Sequence, residues 1–120
     1  MKVMALAAIG ADLLDKALQR TQPDLFHPRS AGYLVLAVAV SLLLAAFVSH
    51  VPSPTLGVAA GLAIGGALAN AASALAWSRG VPDPLVAGGF AFNLADLFVL
   101  AGVGALVVVS ARLAVGRNRQ

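Results

Sequence analysis

The chain has no cysteine and no glutamate, and between Arg29 and Arg79 it has no Lys, Arg, Asp or Glu at all. Without thiols, a disulfide framework and thiolate metal sites are excluded. The charge-free interval excludes an ordinary soluble domain, in which roughly 25% of residues are charged. Here the share is 11%, against 60% hydrophobic residues. An interval of that length holds two membrane crossings of about 20 residues each, so the composition predicts an all-α integral membrane protein.

The net charge of +3 is spread along the chain. No basic stripe interleaved with aromatics is present, which argues against nucleic acid as a partner and leaves membrane phospholipid as the anionic neighbour. His27 and His50 fall in loops predicted on opposite faces, and no His/Asp cluster has ligand spacing, so no metal and no cofactor are expected. Ser73 has no His or Lys base near it in sequence, which argues against serine chemistry. Lys2 followed by the apolar run Val3 to Ala11 has the outline of a signal peptide. However, Ala8-Ile-Gly-Ala11 is a poor cleavage site and the helical pattern continues through Leu13, Leu14 and Leu18, so the segment is read as a retained helix.

The hydrophobic pattern predicts a four-transmembrane-helix bundle forming a single membrane domain over residues 1–120, with helices at about 3–18, 31–48, 56–77 and 90–113. Pro23 and Pro28, then Pro52 and Pro54, then Pro82, Pro84, Gly88 and Gly89 mark the breaks. Helices alternating in direction bring Asp12, Lys16, Asn70, Ser73, Asp83, Asn93 and Asp96 to one end. Phe26, Tyr33, Trp77, Phe90 and Phe92 gather there as an interfacial aromatic belt. Basic residues leave orientation tied: Lys2, Arg112, Arg117 and Arg119 on the side of the termini, Lys16, Arg20, Arg29 and Arg79 on the other.

An ionisable group inside a spanning helix is tolerated where it faces protein or water, which makes Asp96 the most informative residue. Asn93, three residues earlier, lies on the same helical face. Two readings of this pair stand: helix–helix glue or part of a reactive site. Asp83 adds a second carboxylate if the chain folds back between the two positions. Two carboxylates in a low-dielectric site share a proton, so one acts as base and the other as acid. Such a pair activates water without a metal. Asp12 and Lys16 stand at i,i+4 with the acid first, the favourable order for a helical ion pair. Gly61, Gly65, Ala69 and Ser73 form a small-residue ridge that permits close helix packing, and Asn70 borders it.

Three stretches resemble the C-terminal half of signal peptidase II, the lipoprotein signal peptidase. They are Gly65-Gly-Ala-Leu-Ala-Asn70, Gly80-Val-Pro-Asp83 and Phe92-Asn-Leu-Ala-Asp96, against the family's G-G-A-x-G-N-x-x-D-R, G-x-V-x-D-F and F-N-x-A-D. Asp12-Leu-Leu-Asp-Lys16 is similar to its D-x-x-[ST]-K. The resemblance implies an aspartic endopeptidase in which Asp83 and Asp96 are catalytic, while Asn70, Asn93, Asp12 and Lys16 support the site. It implies removal of the signal peptide from prolipoproteins bearing a lipid-modified cysteine. It also implies a multi-pass protein of the bacterial inner (cytoplasmic) membrane with both termini cytoplasmic.

Three departures accompany it. Ser73-Ala74 replaces the family's Asp-Arg, Pro84 replaces the Phe after the first catalytic Asp, and the N-x-G-x-x-F segment between the first two helices has no counterpart. Gln19 to Ser30 is too short for the small substrate-cradling sheet of the family. These departures motivate an alternative reading, a non-catalytic relative that binds lipidated peptide or lipid. A small four-helix transporter with Asp96 as its proton site is the other alternative.

Overall fold

In a computed structural model, which describes residues 1–117, the chain is mostly helical; Arg119 lies outside the described residues. The helices are α1 (Lys2–Leu18), α2 (Ala31–Ser49), α3 (Pro54–Ala76) and α4 (Leu94–Arg117). Three of them, α2, α3 and α4, are long and apolar enough to cross a membrane. At 1.5 Å per residue they measure about 28 to 36 Å, against a hydrocarbon core of about 30 Å. α1 has 17 residues and carries Asp12, Asp15 and Lys16.

Each of these three helices begins where a small polar side chain takes an orphan backbone N–H. Ser30 Oγ accepts from the Tyr33 N–H at 3.1 Å, and Ser53 Oγ accepts from the Leu56 N–H at 3.3 Å, with Pro54 in the first turn. Asn93 caps α4 in the same way, accepting from the Asp96 N–H at 3.0 Å.

α3 is the central helix, and its small residues explain why. A Cβ added to Gly61 would stand 2.6 Å from the Met1 carbonyl oxygen, and one on Gly65 would stand 2.7 Å from that of Ala5. Those two glycines therefore let α1 lie against α3, backbone to backbone. Gly66 opens a second face: a Cβ there would collide with the Ala95 carbonyl oxygen and Val99 of α4. Gly102 reciprocates, with the Ala59 oxygen 2.7 Å from where its Cβ would be. Small residues placed this way are how helices pack closely when no hydrophobic driving force acts between them.

The same contacts give directions. Met1 meets Gly57 and Gly61, Ala5 meets Gly65, and Lys16 meets Asn70 and Ser73, so α1 runs parallel to α3 along most of its length. Gly66 meets Ala95 while Ala59 meets Gly102, so α4 runs antiparallel to both. Outward faces are apolar: Val35, Leu42, Leu43 and Phe47 of α2 and Leu100, Val107 and Val108 of α4 are exposed.

Two short strand pairs depart from the sequence-based expectation. The fourth helix was expected from residue 90, but Phe90–Phe92 is a strand, β4, paired antiparallel with β3 (Leu85–Ala87). Gly88 (φ 58°) and Gly89 (φ 79°) make the turn, the left-handed pair that a two-residue hairpin of this hand needs. Asp96 consequently lies in the first turn of α4 rather than one to two turns inside it. The connection between α1 and α2 was expected to be too short for a sheet of its own. It holds a single 3-10 turn (Pro23–Leu25) and one short strand, β1 (Phe26–His27), which pairs with β2 (Val81–Pro82) from the connection after α3.

Candidate active site

α4 begins at the site. Its cap, Asn93, and the third residue of its first turn, Asp96, satisfy each other. The Asp96 N–H donates to Asn93 Oδ1, and the Asn93 N–H donates to Asp96 Oδ2 at 3.1 Å. This is a capping box with Asn and Asp in place of the usual Ser/Thr and Glu. The next free donor of the turn, the Ala95 N–H, is taken by Asp12 Oδ1 of α1 at 2.8 Å.

Because a backbone N–H can only donate, Asn93 Oδ1 must face it, and the Asn93 amide nitrogen must point the other way. It points at Asp83, donating to Oδ1 at 2.5 Å. One side chain therefore joins the two aspartates that the sequence set apart. Asp83 is buried (3% exposed) and Asn93 fully so. Asp83 is held on its other flank by backbone: its N–H donates to the Leu25 carbonyl at 3.0 Å, extending the β1–β2 pairing by one residue.

Lys16 orients the second asparagine by the same logic. Its ammonium has no acceptor capacity. Nζ donates to Asn70 Oδ1 at 3.0 Å and to Ser73 Oγ at 2.9 Å, and is paired with Asp12 Oδ2 at 2.7 Å. With its oxygen committed to Lys16, Asn70 turns its amide nitrogen to Asp96 and donates to Oδ1 at 2.8 Å. Asp12, Lys16, Asn70 and Ser73 are all buried. The helical ion pair expected from the i,i+4 spacing is present, but in the interior, where an unpaired charge would cost several kcal/mol.

All six residues expected at the site thus meet in one connected network. Ser73 joins it, with a correction to the sequence argument: a lysine does reach its hydroxyl, from 57 positions away in the chain. That lysine is ion-paired to Asp12 and holds two other acceptors, and Ser73 is wholly buried while donating to the Ala69 carbonyl at 2.8 Å. Neither the base nor the access of a serine nucleophile is present.

Sequence reasoning also missed His27. Its Nδ1 lies 2.5 Å from Asp83 Oδ2. The signal was available only as Gly80, whose φ of 103° is open to few side chains other than hydrogen. A Cβ there would stand 2.6 Å from the His27 carbonyl carbon, so this glycine admits the strand that carries His27.

Asp96 and Asn70 face an apolar groove of about 570 Å³ between α2, α3 and α4. Its walls are Leu36 and Val40 of α2, Ala67 of α3, and Val99 and Val103 of α4, with Tyr33 at the polar end. Arg29 lies over the Tyr33 ring, 5.2 Å from its centroid. Among the described residues no group of three or more metal-ligating side chains is present.

Carboxylates linked through asparagine donors, beside an apolar groove among helices of which three are long and apolar enough to cross a membrane, define a helical bundle with a buried carboxylate network. The family model for signal peptidase (SPase) II matches residues 5–112, nearly the whole chain, and the chain belongs to that family. Its members are aspartic peptidases that act on lipoprotein precursors. No curated protein and no solved structure matches the chain.

Proposed function

We propose that the protein is a membrane aspartic endopeptidase that removes signal peptides from lipid-modified prolipoproteins, with Asp83 and Asp96 as its catalytic pair. The observation that carries this reading is Asn93, whose amide nitrogen binds Asp83 and whose backbone N–H binds Asp96. In the reaction, the ionised carboxylate of the pair takes a proton from water, and the oxygen of that water bonds to the scissile carbonyl carbon. The protonated carboxyl gives its proton to the carbonyl oxygen. Collapse of the resulting gem-diol breaks the C–N bond, its proton passing to the leaving amine. Asn70, Lys16 and Asp12 hold Asp96 and the start of α4 in place.

The apolar groove accommodates the hydrophobic segment of a signal peptide, with its polar end at Asp96. We read α1 as a fourth crossing, since it lies alongside α3 from Gly57 to Ser73. Four crossings put both termini on one side, the cytoplasmic side of a bacterial inner membrane. The chain over residues 1–120 is then a single membrane domain.

Asp83→Asn and Asp96→Asn are each expected to abolish cleavage of a lipid-modified precursor by the protein reconstituted in vesicles, with insertion intact. Cleavage that survives both changes sinks the proposal. The replacement of Asp-Arg by Ser73-Ala74 favours a second reading, a relative that binds diacylated peptide without cutting it. Binding by the wild type with no product would select it.

A further inference from the structure

The approach of His27 to Asp83 is unlike the other contacts of the network. Nδ1 is buried and stands 2.5 Å from Asp83 Oδ2, yet it has no aligned hydrogen-bond partner. The contact is therefore a close polar approach rather than an aligned hydrogen bond. Asp83 Oδ1 is occupied by Asn93, which leaves Oδ2 as the carboxylate oxygen that His27 controls. The imidazole is about half exposed, whereas the carboxylate is almost wholly covered (side chains 44% and 4%). His27 thus stands between Asp83 and the outside.

We propose that His27 is a positioning residue: its close approach to Oδ2 restricts the rotation of the Asp83 carboxylate relative to Asn93 and Asp96. This rests on the assignment of Asp83 to the catalytic pair. A short strand pairing brings His27 to Asp83, with His27 opposite Val81, Phe26 opposite Pro82 and the Asp83 N–H on the Leu25 carbonyl, and Gly80 makes that approach possible. Among the described residues Asp83 is the ionisable group paired with His27. Of the other charged groups nearby in the chain, Arg29 is stacked on Tyr33, while Asp24 lies in the 3-10 turn and Arg79 precedes β2. On the far side of the pair, the Lys16 charge is met by Asp12.

The test uses the full-length protein in lipid nanodiscs and two readouts. His27→Ala is expected to lower kcat for a lipid-modified precursor about 10- to 100-fold, the order expected when a reacting group is misplaced, with KM unchanged. His27→Asn places an amide nitrogen near the position of Nδ1 and is expected to return kcat to within roughly threefold of wild type. A purely structural role would instead be read in insertion and melting temperature, and rescue would follow side-chain size rather than donor position. An unchanged kcat in His27→Ala overturns the proposal.

The second readout does not need activity. The chain has two histidines, so ¹⁵N resonances of His27 are assigned by comparison with His27→Asn, and His50 serves as internal reference. Asp83→Asn is expected to move the His27 Nδ1 resonance and leave His50 in place. A His27 resonance indifferent to Asp83→Asn overturns the contact whether or not the wild type cleaves. A wild type without cleavage, whose His27 still responds, refutes the peptidase reading and keeps the contact.

Discussion

Asn93 and Asp96 cap one another, each backbone N–H donating to the other's side-chain oxygen. The carboxylate proposed to do chemistry is therefore also the one that starts α4, and its position is fixed by the helix it initiates. Its placement in the first turn adds the favourable field of the helix N-terminus. The two roles of Asn93, cap and amide donor to Asp83, separate on substitution. Asn93→Ala is expected to destabilise the protein by about 1–2 kcal/mol through loss of the cap. Asn93→Ser keeps a capping oxygen, and is expected to melt close to wild type in detergent while cleaving roughly 100-fold more slowly.

Lys16 and Asp12 predict a different imbalance. Lys16→Met leaves Asp12 as a buried carboxylate without its cation and frees Asn70 to rotate, at an expected cost of about 3–5 kcal/mol. Asp12→Leu combined with Lys16→Met removes both charges and is expected to be less destabilised than Lys16→Met alone. Circular dichroism melts of these two variants beside the wild type check the order.

Gly66 and Gly102 carry a packing prediction. Leucine at either position cannot be fitted without separating α3 from α4, because the nearest obstructing atom in each case is backbone. Each change is expected to cost at least about 1–3 kcal/mol and to pull Asp96 away from Asn70. Processing by Gly66→Ala, measured beside Gly66→Leu, checks that the loss grows with side-chain volume.

An acid pair that works with one shared proton loses activity when that proton is removed and when a second is added. Cleavage by the wild type is therefore expected to follow a bell-shaped dependence on pH. A monotonic profile across the range in which the protein stays folded argues for a single ionising group.

Much of this arrangement could be read from the sequence, and the parts that could not share a cause. The helices announce themselves through long apolar runs and proline breaks, and the i,i+4 spacing of Asp12 and Lys16 announces their pairing. Asn70, Asn93 and Asp96 converge once helix directions alternate. Phe90 to Phe92, in contrast, is as apolar as the helix that follows, and three residues are too few to display a period of two. The Gly88-Gly89 turn was legible as a return; the strands on either side of it were not. His27 was expected in a loop, whereas it lies in the short strand β1; a two-residue pairing with β2 depends on how closely backbones approach, which composition does not encode. Lys16 and Ser73 were legible as neighbours at one end of the bundle, but not as bonded partners, because side-chain reach between two helices is not written in the spacing along the chain.

Lys16 can only give hydrogen bonds and the two aspartates, when ionised, can only receive them, so the network has a direction. From the lysine it runs through Asn70 to Asp96, and from the backbone of α4 through Asn93 to Asp83. Neither asparagine can reverse without placing two donors or two acceptors face to face. The protein has thereby wired its interior like a pair of one-way valves that both discharge at the carboxylates, so that an Asn-to-Asp change at either 70 or 93, small as it is in volume, sets an acceptor against an acceptor.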